Sequence, residues 1–140
     1  MKTRPILVCR HEAAHAIVAE LLGYRVLEMR VVGSKGGFCR IASKYKAEDP
    51  LRMGVVYAAG LAAEIKWHRA TSRRISLDDG REIHKRGFRG RSKATILAIA
   101  QRIVDEHAGA IDCLAHLLKA KDLKRADIKR VLIAEIKAKR

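Results

Sequence analysis

A chain of 140 residues, 49% apolar and 32% charged, fits one compact folded domain with a single main site and excludes a disordered segment. With aromatics at only 4%, its core must be built from aliphatic side chains. A formal charge of +15 draws anionic partners, but the cations run along the whole chain, densest over 81–93 and 119–139, and no nucleic-acid motif accompanies them, so a solvated basic surface is expected.

Ile6, Leu7, Ala14, Ile17, Val18, Leu21 and Leu22 recur at helical spacing and Gly23 offers a C-cap, so a first helix is expected over 4–22. Two short β-prone runs, 25–32 and 37–43, flank Gly33-Ser34-Lys35-Gly36 and predict a hairpin with a glycine-rich turn. Asp49 followed by Pro50 supplies an N-cap and first turn for a mostly buried second helix over 51–67. Residues 69–90 carry three glycines, many charges and little periodicity, and predict a loop, a short helix at 78–85 and another turn. Ser92 then caps a long amphipathic helix through about 119, and a final helix is expected over 126–138. The result is one domain over 1–140, of class α+β and mainly α, with a small β-hairpin or sheet and no internal repeat.

Cys9, Cys39 and Cys113 lie far apart with no C-x-x-C pair, which suggests neither a disulfide framework nor a zinc knuckle and points to a reducing cytoplasm. The longest nearly apolar stretch, 53–63, is too short to cross a bilayer, and no signal-peptide pattern follows the first residues. A soluble chain that is not exported is therefore expected.

The chemistry concentrates in His11-Glu12-Ala13-Ala14-His15. On a helix, positions i and i+4 share one face, so both imidazoles can reach one ion, and zinc is the expected metal. Glu12 adjoins the first ligand, where it can take a proton from a zinc-activated water instead of binding the metal. The plain alternative is a surface pair of histidines with a helix-favouring glutamate; apolar Ala13, Ala14, Ala16 and Ile17 around them argue against it.

The run His11 to Ala19, His-Glu-Ala-Ala-His-Ala-Ile-Val-Ala, resembles the metal helix of the peptidase domain of FtsH-type ATP-dependent zinc metalloproteases. Further matches follow in that family's order: Ala59-Gly60-Leu61-Ala62-Ala63-Glu64 is similar to its Gly-x-Ala-Ala-Glu helix, and Ser76-Leu77-Asp78 to its Ser-Asn-Asp step. Ile103-Val104-Asp105-Glu106 through Leu117-Leu118, then Lys121-Asp122-Leu123 and Asp127-Ile128, resemble its closing helices. The resemblance covers nearly the whole chain, with the histidine motif its most specific part.

The resemblance implies an aspartate as third protein ligand, matched here by Asp78, with adjacent Asp79 as the alternative register because the segment continues Asp-Gly-Arg-Glu. Glu64 is a rival ligand by analogy with other metallopeptidases, but the resemblance argues against it; it is expected to be a buried acceptor that orients a histidine ligand or ties two helices together, with a plain surface glutamate as the alternative, and Gly60 lets two helices approach closely. His68, His84, His107 and His116 stand alone and are expected to be ordinary surface or core residues. Residues 35–43 offer either a strand edge for an extended peptide or a plain hairpin.

The sequence contains no Gly-x-x-x-x-Gly-Lys-Ser/Thr phosphate loop, so the family's motor is not represented in it. The expected function is hydrolysis of peptide bonds in unfolded or flexible polypeptides. A separate ATPase subunit or further copies of the chain are the implied partners, with only weak, non-specific binding of nucleic acid and none to membranes. The contrasting expectation is a basic binding or regulatory module, catalytically weak or inactive, that binds nucleic acid and retains a metal site.

Overall fold

Alanine at positions 13, 14, 16 and 19 favours helix and adds little bulk. In the computed structural model, which describes residues 4–32, 36–42, 50–69 and 91–139, these four side chains are fully buried in the helix α1 (Ile6–Leu21). An alanine-rich, mostly apolar helix belongs inside a molecule, and α1 is covered by its neighbours on several sides. One is α2 (Pro50–His68), whose Ala58, Ala59, Ala62 and Ala63 are equally buried and let the two helices pack closely. Others are the sheet strands β1 (Val26–Val32) and β2 (Gly36–Ile41), and the helix α4 (Ala108–Ala120). Helix α3 (Arg91–Glu106) lies along α2. The two-residue strand β3 (Leu123–Lys124) leads into α5 (Arg125–Ala138), which packs on α4 and the sheet.

The sheet is antiparallel in the order β2-β1-β3, so β2 forms one edge. Met29 pairs with Cys39 on one side and Leu123 on the other, and Met29 and Leu123 are fully buried, which anchors the middle of the sheet in the core. A register shift between Val26 and Glu28 marks a bulge near the start of β1. Around these elements Ile17, Met53, Leu61, Ile96, Ile111, Leu114, Leu118 and Ile128 fill an almost wholly aliphatic interior. The described residues are mainly helical with one small sheet, the α+β class expected from the sequence. None of their helices is long and apolar enough to cross a membrane.

Two features differ from the sequence expectation. The long helix expected from Ser92 to about 119 is interrupted at His107, whose Nδ1 lies 3.1 Å from Glu135 Oε1 on α5, while Lys139 bonds the Glu106 carbonyl. No proline lies at this break, and the contacts of His107 and Glu106 tie it to α5. Strand β3 was not anticipated, because two residues carry no alternation for a pattern to reveal. The expected short helix at 78–85 and the hairpin turn residues 33–35 lie outside the described residues.

Candidate metal centre

Helix α1 presents His11, Glu12 and His15 to the space between α2 and β2. His15 is 7% exposed and Glu12 5%, while His11 is half-buried. The two Nε2 atoms are 2.9 Å apart, and potential ligand atoms of His11, Glu12 and His15 all lie within 4.8 Å of one another.

The outer nitrogens decide what the inner ones can do. His15 Nδ1 sits 2.6 Å from the backbone carbonyl of Val56, which can only accept, so Nδ1 carries the proton and Nε2 of the neutral ring is left with its lone pair. His11 Nδ1 lies 3.4 Å from Glu64 Oε2, a longer contact with the same sense: a carboxylate accepts, Nδ1 donates, and Nε2 faces inward as a base. Two lone pairs brought to 2.9 Å repel unless a cation or a shared proton lies between them. Nitrogens each ~2.0–2.1 Å from one tetrahedral zinc would stand roughly 3.3 Å apart, so this pair would need to open by only a few tenths of an ångström to suit that metal.

Glu12 adds an independent sign. Its Oε2 is buried with no hydrogen-bond partner among the described residues, which is costly unless a ligand completes it. The carboxylate stands beside the imidazole pair and lines a cavity of about 170 Å³ with His15, Gly37, Phe38, Cys39, Ile41, Val56 and Tyr57. Donor chemistry and the orphaned oxygen both fit a divalent metal with an attached water.

Backbone approach makes the arrangement sterically possible. A Cβ on Gly60, one turn after Val56, would overlap the His11 ring. A Cβ on Gly37 would collide with the Arg30 carbonyl and stand 3.1 Å from Glu12 Cγ, so β2 passes close to the carboxylate.

The structure thus brings together His11, Glu12 and His15, with Glu64 as a partner of His11. Asp78 and Asp79 lie outside the described residues, as does His84. Of the other histidines, His107 faces Glu135 and His116 bonds the Asp112 carbonyl within its own helix. His68, one turn beyond Glu64, has a buried Nε2 with no hydrogen bond; burial, then Arg10, pushes its imidazole below the usual range, against an opposing effect of Glu64. Sequence reasoning missed the Val56 carbonyl and the cavity residues Phe38, Cys39, Ile41 and Tyr57. A backbone carbonyl leaves no trace in residue identity, and the cavity joins segments far apart in the chain. No protein-family profile matches the chain, and no curated protein matches it.

Proposed function

We propose that the chain is a zinc-dependent endopeptidase acting on unfolded or flexible polypeptides. The observation that carries this reading is the pair of Nε2 atoms 2.9 Å apart with both Nδ1 atoms turned to acceptors, beside the buried Glu12 carboxylate with an unpartnered oxygen.

His11 and His15 hold the metal, and their partners fix the tautomer: the Val56 carbonyl for His15 and Glu64 for His11. Engaged in this way, Glu64 orients a ligand and does not serve as one. By the family resemblance Asp78 is the third protein ligand, with Asp79 the neighbouring alternative. Zinc, when bound, supplies Lewis acidity that makes water nucleophilic at neutral pH and polarises the scissile carbonyl. Glu12 accepts the proton released from the attacking water and delivers it to the leaving amine. Its burial keeps the carboxylate close to the reacting atoms and limits competing solvent. The edge strand β2, which runs past Glu12, offers backbone groups to an extended substrate chain. Such recognition reads backbone and requires the substrate to be unfolded, so an ATPase subunit that unfolds proteins is the partner expected for folded substrates.

Replacing Glu12 by Gln tests the reading directly. The variant is expected to bind one zinc per chain as wild type does and to lose casein hydrolysis by about a hundredfold or more. Equal cleavage by Glu12→Gln removes Glu12 from the role of base. Asp78→Ala is expected to strip the metal and Asp79→Ala to leave it; the reverse result moves the third ligand by one residue. If zinc-loaded wild type cleaves nothing, even with candidate ATPase partners, the binding-module alternative, which the +15 charge favours, takes its place.

A further inference from the structure

A second cleft lies where the end of α1, the start of β1 and the first turns of α5 meet. It measures about 430 Å³ and is lined by Glu20, Gly23, Tyr24, Arg25, Arg125 and Lys129. That volume falls within the ~300–1,000 Å³ range of small-molecule sites, and its three cations come from segments distant in the chain. We propose that this cleft binds the phosphate of a small phosphomonoester of sugar-phosphate size. Arg25 and Lys129 neutralise the phosphate, and Arg125 holds the elements that carry them together. The inference stands apart from the metal centre and does not depend on the peptidase reading.

The charges lining the cleft do not cancel. Glu20 is already engaged: its Oε1 accepts the Val26 backbone N–H at 2.9 Å and a bond from Arg125 Nη1, which also donates to the Val26 carbonyl at 2.9 Å. The Arg125–Glu20 pair is therefore neutral as a unit, and it pins α5 to the junction of α1 and β1. Arg125 Nε is buried with no hydrogen-bond partner among the described residues, so the guanidinium is held in place without being fully satisfied. Arg25 and Lys129 are exposed, and their side chains meet no carboxylate among the described residues. Arg125 and Lys129 also stand one turn apart on α5, a spacing at which like charges repel. An anion in the cleft relieves that repulsion. With two cations left over, a dianion is matched better than a monoanion. At neutral pH a phosphomonoester carries roughly −1.5 to −2, whereas a carboxylate or a phosphodiester carries a single charge. Guanidinium groups suit phosphate further through paired N–H donors. A bare phosphate leaves most of the space unfilled, and Tyr24, 4% exposed, supplies an aromatic wall for an attached sugar.

Calorimetric titration of the metal-free protein with ribose 5-phosphate, at a pH of about 8 where the ester is a dianion, tests the assignment. One saturable site per chain is expected, with ribose, acetate and dimethyl phosphate each binding at least about tenfold more weakly. Losing one charge-assisted bond costs about tenfold or more, so Arg25→Gln and Lys129→Gln are each expected to weaken binding by that factor. Lys129→Arg is expected to retain it. Both positions are exposed, so circular dichroism and melting should match wild type in every variant. Arg130→Gln removes the same charge from the same helix outside the cleft and is expected to change the affinity by less than about twofold. Equal losses in Arg130→Gln and Lys129→Gln assign the binding to the general positive field and overturn the site. So does dimethyl phosphate binding as tightly as ribose 5-phosphate, or a titration that shows no saturable site. A blunt DNA duplex lacking terminal phosphates that binds more tightly than ribose 5-phosphate, and loses that binding in Lys129→Gln, overturns the small-molecule assignment in favour of a nucleic-acid backbone.

Discussion

Adding a Cβ to Gly60 would drive it into the imidazole of His11, whose Nδ1 faces Glu64 and whose Nε2 faces His15. Alanine is the better helix former by about 1 kcal/mol, so propensity and site geometry pull in opposite directions at this position. We expect Gly60→Ala to weaken zinc binding about 10–100-fold, the usual cost of disturbing a ligand's orientation, with little gain in thermal stability. Gly109 is the control, because a Cβ there meets nothing within 4 Å; Gly109→Ala is expected to raise stability by about 0.5–1 kcal/mol and leave zinc affinity alone. Competition titration of zinc and thermal melts measure both, and a Gly60→Ala protein that binds zinc as tightly as wild type refutes the steric argument. At this scale the sequence was a good guide to which side chains of one helix stand together. The grouping of His11, Glu12 and His15 follows from a single turn of α1, and the close approach at Gly60 and a contact between Glu64 and a histidine of that helix were also expected. The Val56 carbonyl and the proximity of Gly37 to Glu12 could not be read, because each depends on how separate segments pack.

Among the elements, α1, the hairpin strands, α2 and the last helix were legible because periodicity, caps and glycine turns mark them locally; their ends differ from expectation by one or two residues. The break at His107 and the strand β3 were not: no proline marks the first, and the second exists through its pairing with β1, distant in the chain. The start of α5 shows a local device whose strength can be measured. Asp127 Oδ2 accepts the Lys124 backbone N–H at 3.0 Å, and that bond above all, with minor help from Lys121 and Arg130 and slight opposition from burial, lowers the Asp127 carboxyl below its ordinary value of 3.8. A depressed folded value means the stabilisation is fully present above the unfolded value and disappears as pH falls through the folded one. Asp127→Ala is therefore expected to cost about 0.5–1 kcal/mol at neutral pH, a modest figure because the group is near solvent. The gap between the two proteins should close as denaturation is followed from pH 5 downward past 3.8. A gap that persists unchanged in acid assigns the effect to packing instead.

On the scale of the whole molecule the dominant property is charge. Among the described residues acidic side chains are largely engaged by neighbouring cations, as in Arg4–Asp122, Arg10–Asp112, Lys66–Asp105 and Arg125–Glu20, while the sequence carries thirty basic against fifteen acidic residues. The exposed pairs, Arg4–Asp122 and Lys66–Asp105, add little stability each; the uncompensated cations produce a broad positive field. Such a field speeds encounter with any polyanion without reading its sequence, and it weakens steeply with salt. Duplex DNA is accordingly expected to bind with micromolar or weaker affinity near 150 mM salt, equally for unrelated sequences, and Glu12→Gln should leave that binding unchanged. Nanomolar, sequence-selective binding at that salt would instead favour the module that holds nucleic acid. On the peptidase reading proposed above, the same field acts on substrates. An acidic unfolded polypeptide should be cleaved with a KM that rises with ionic strength while kcat stays level, because salt screens the approach and not the chemistry between Glu12 and the scissile bond. A neutral peptide with the same residues at the cut should show no such dependence. Parallel rises for both peptides would place the salt effect in the site itself and detach the surface charge from substrate capture.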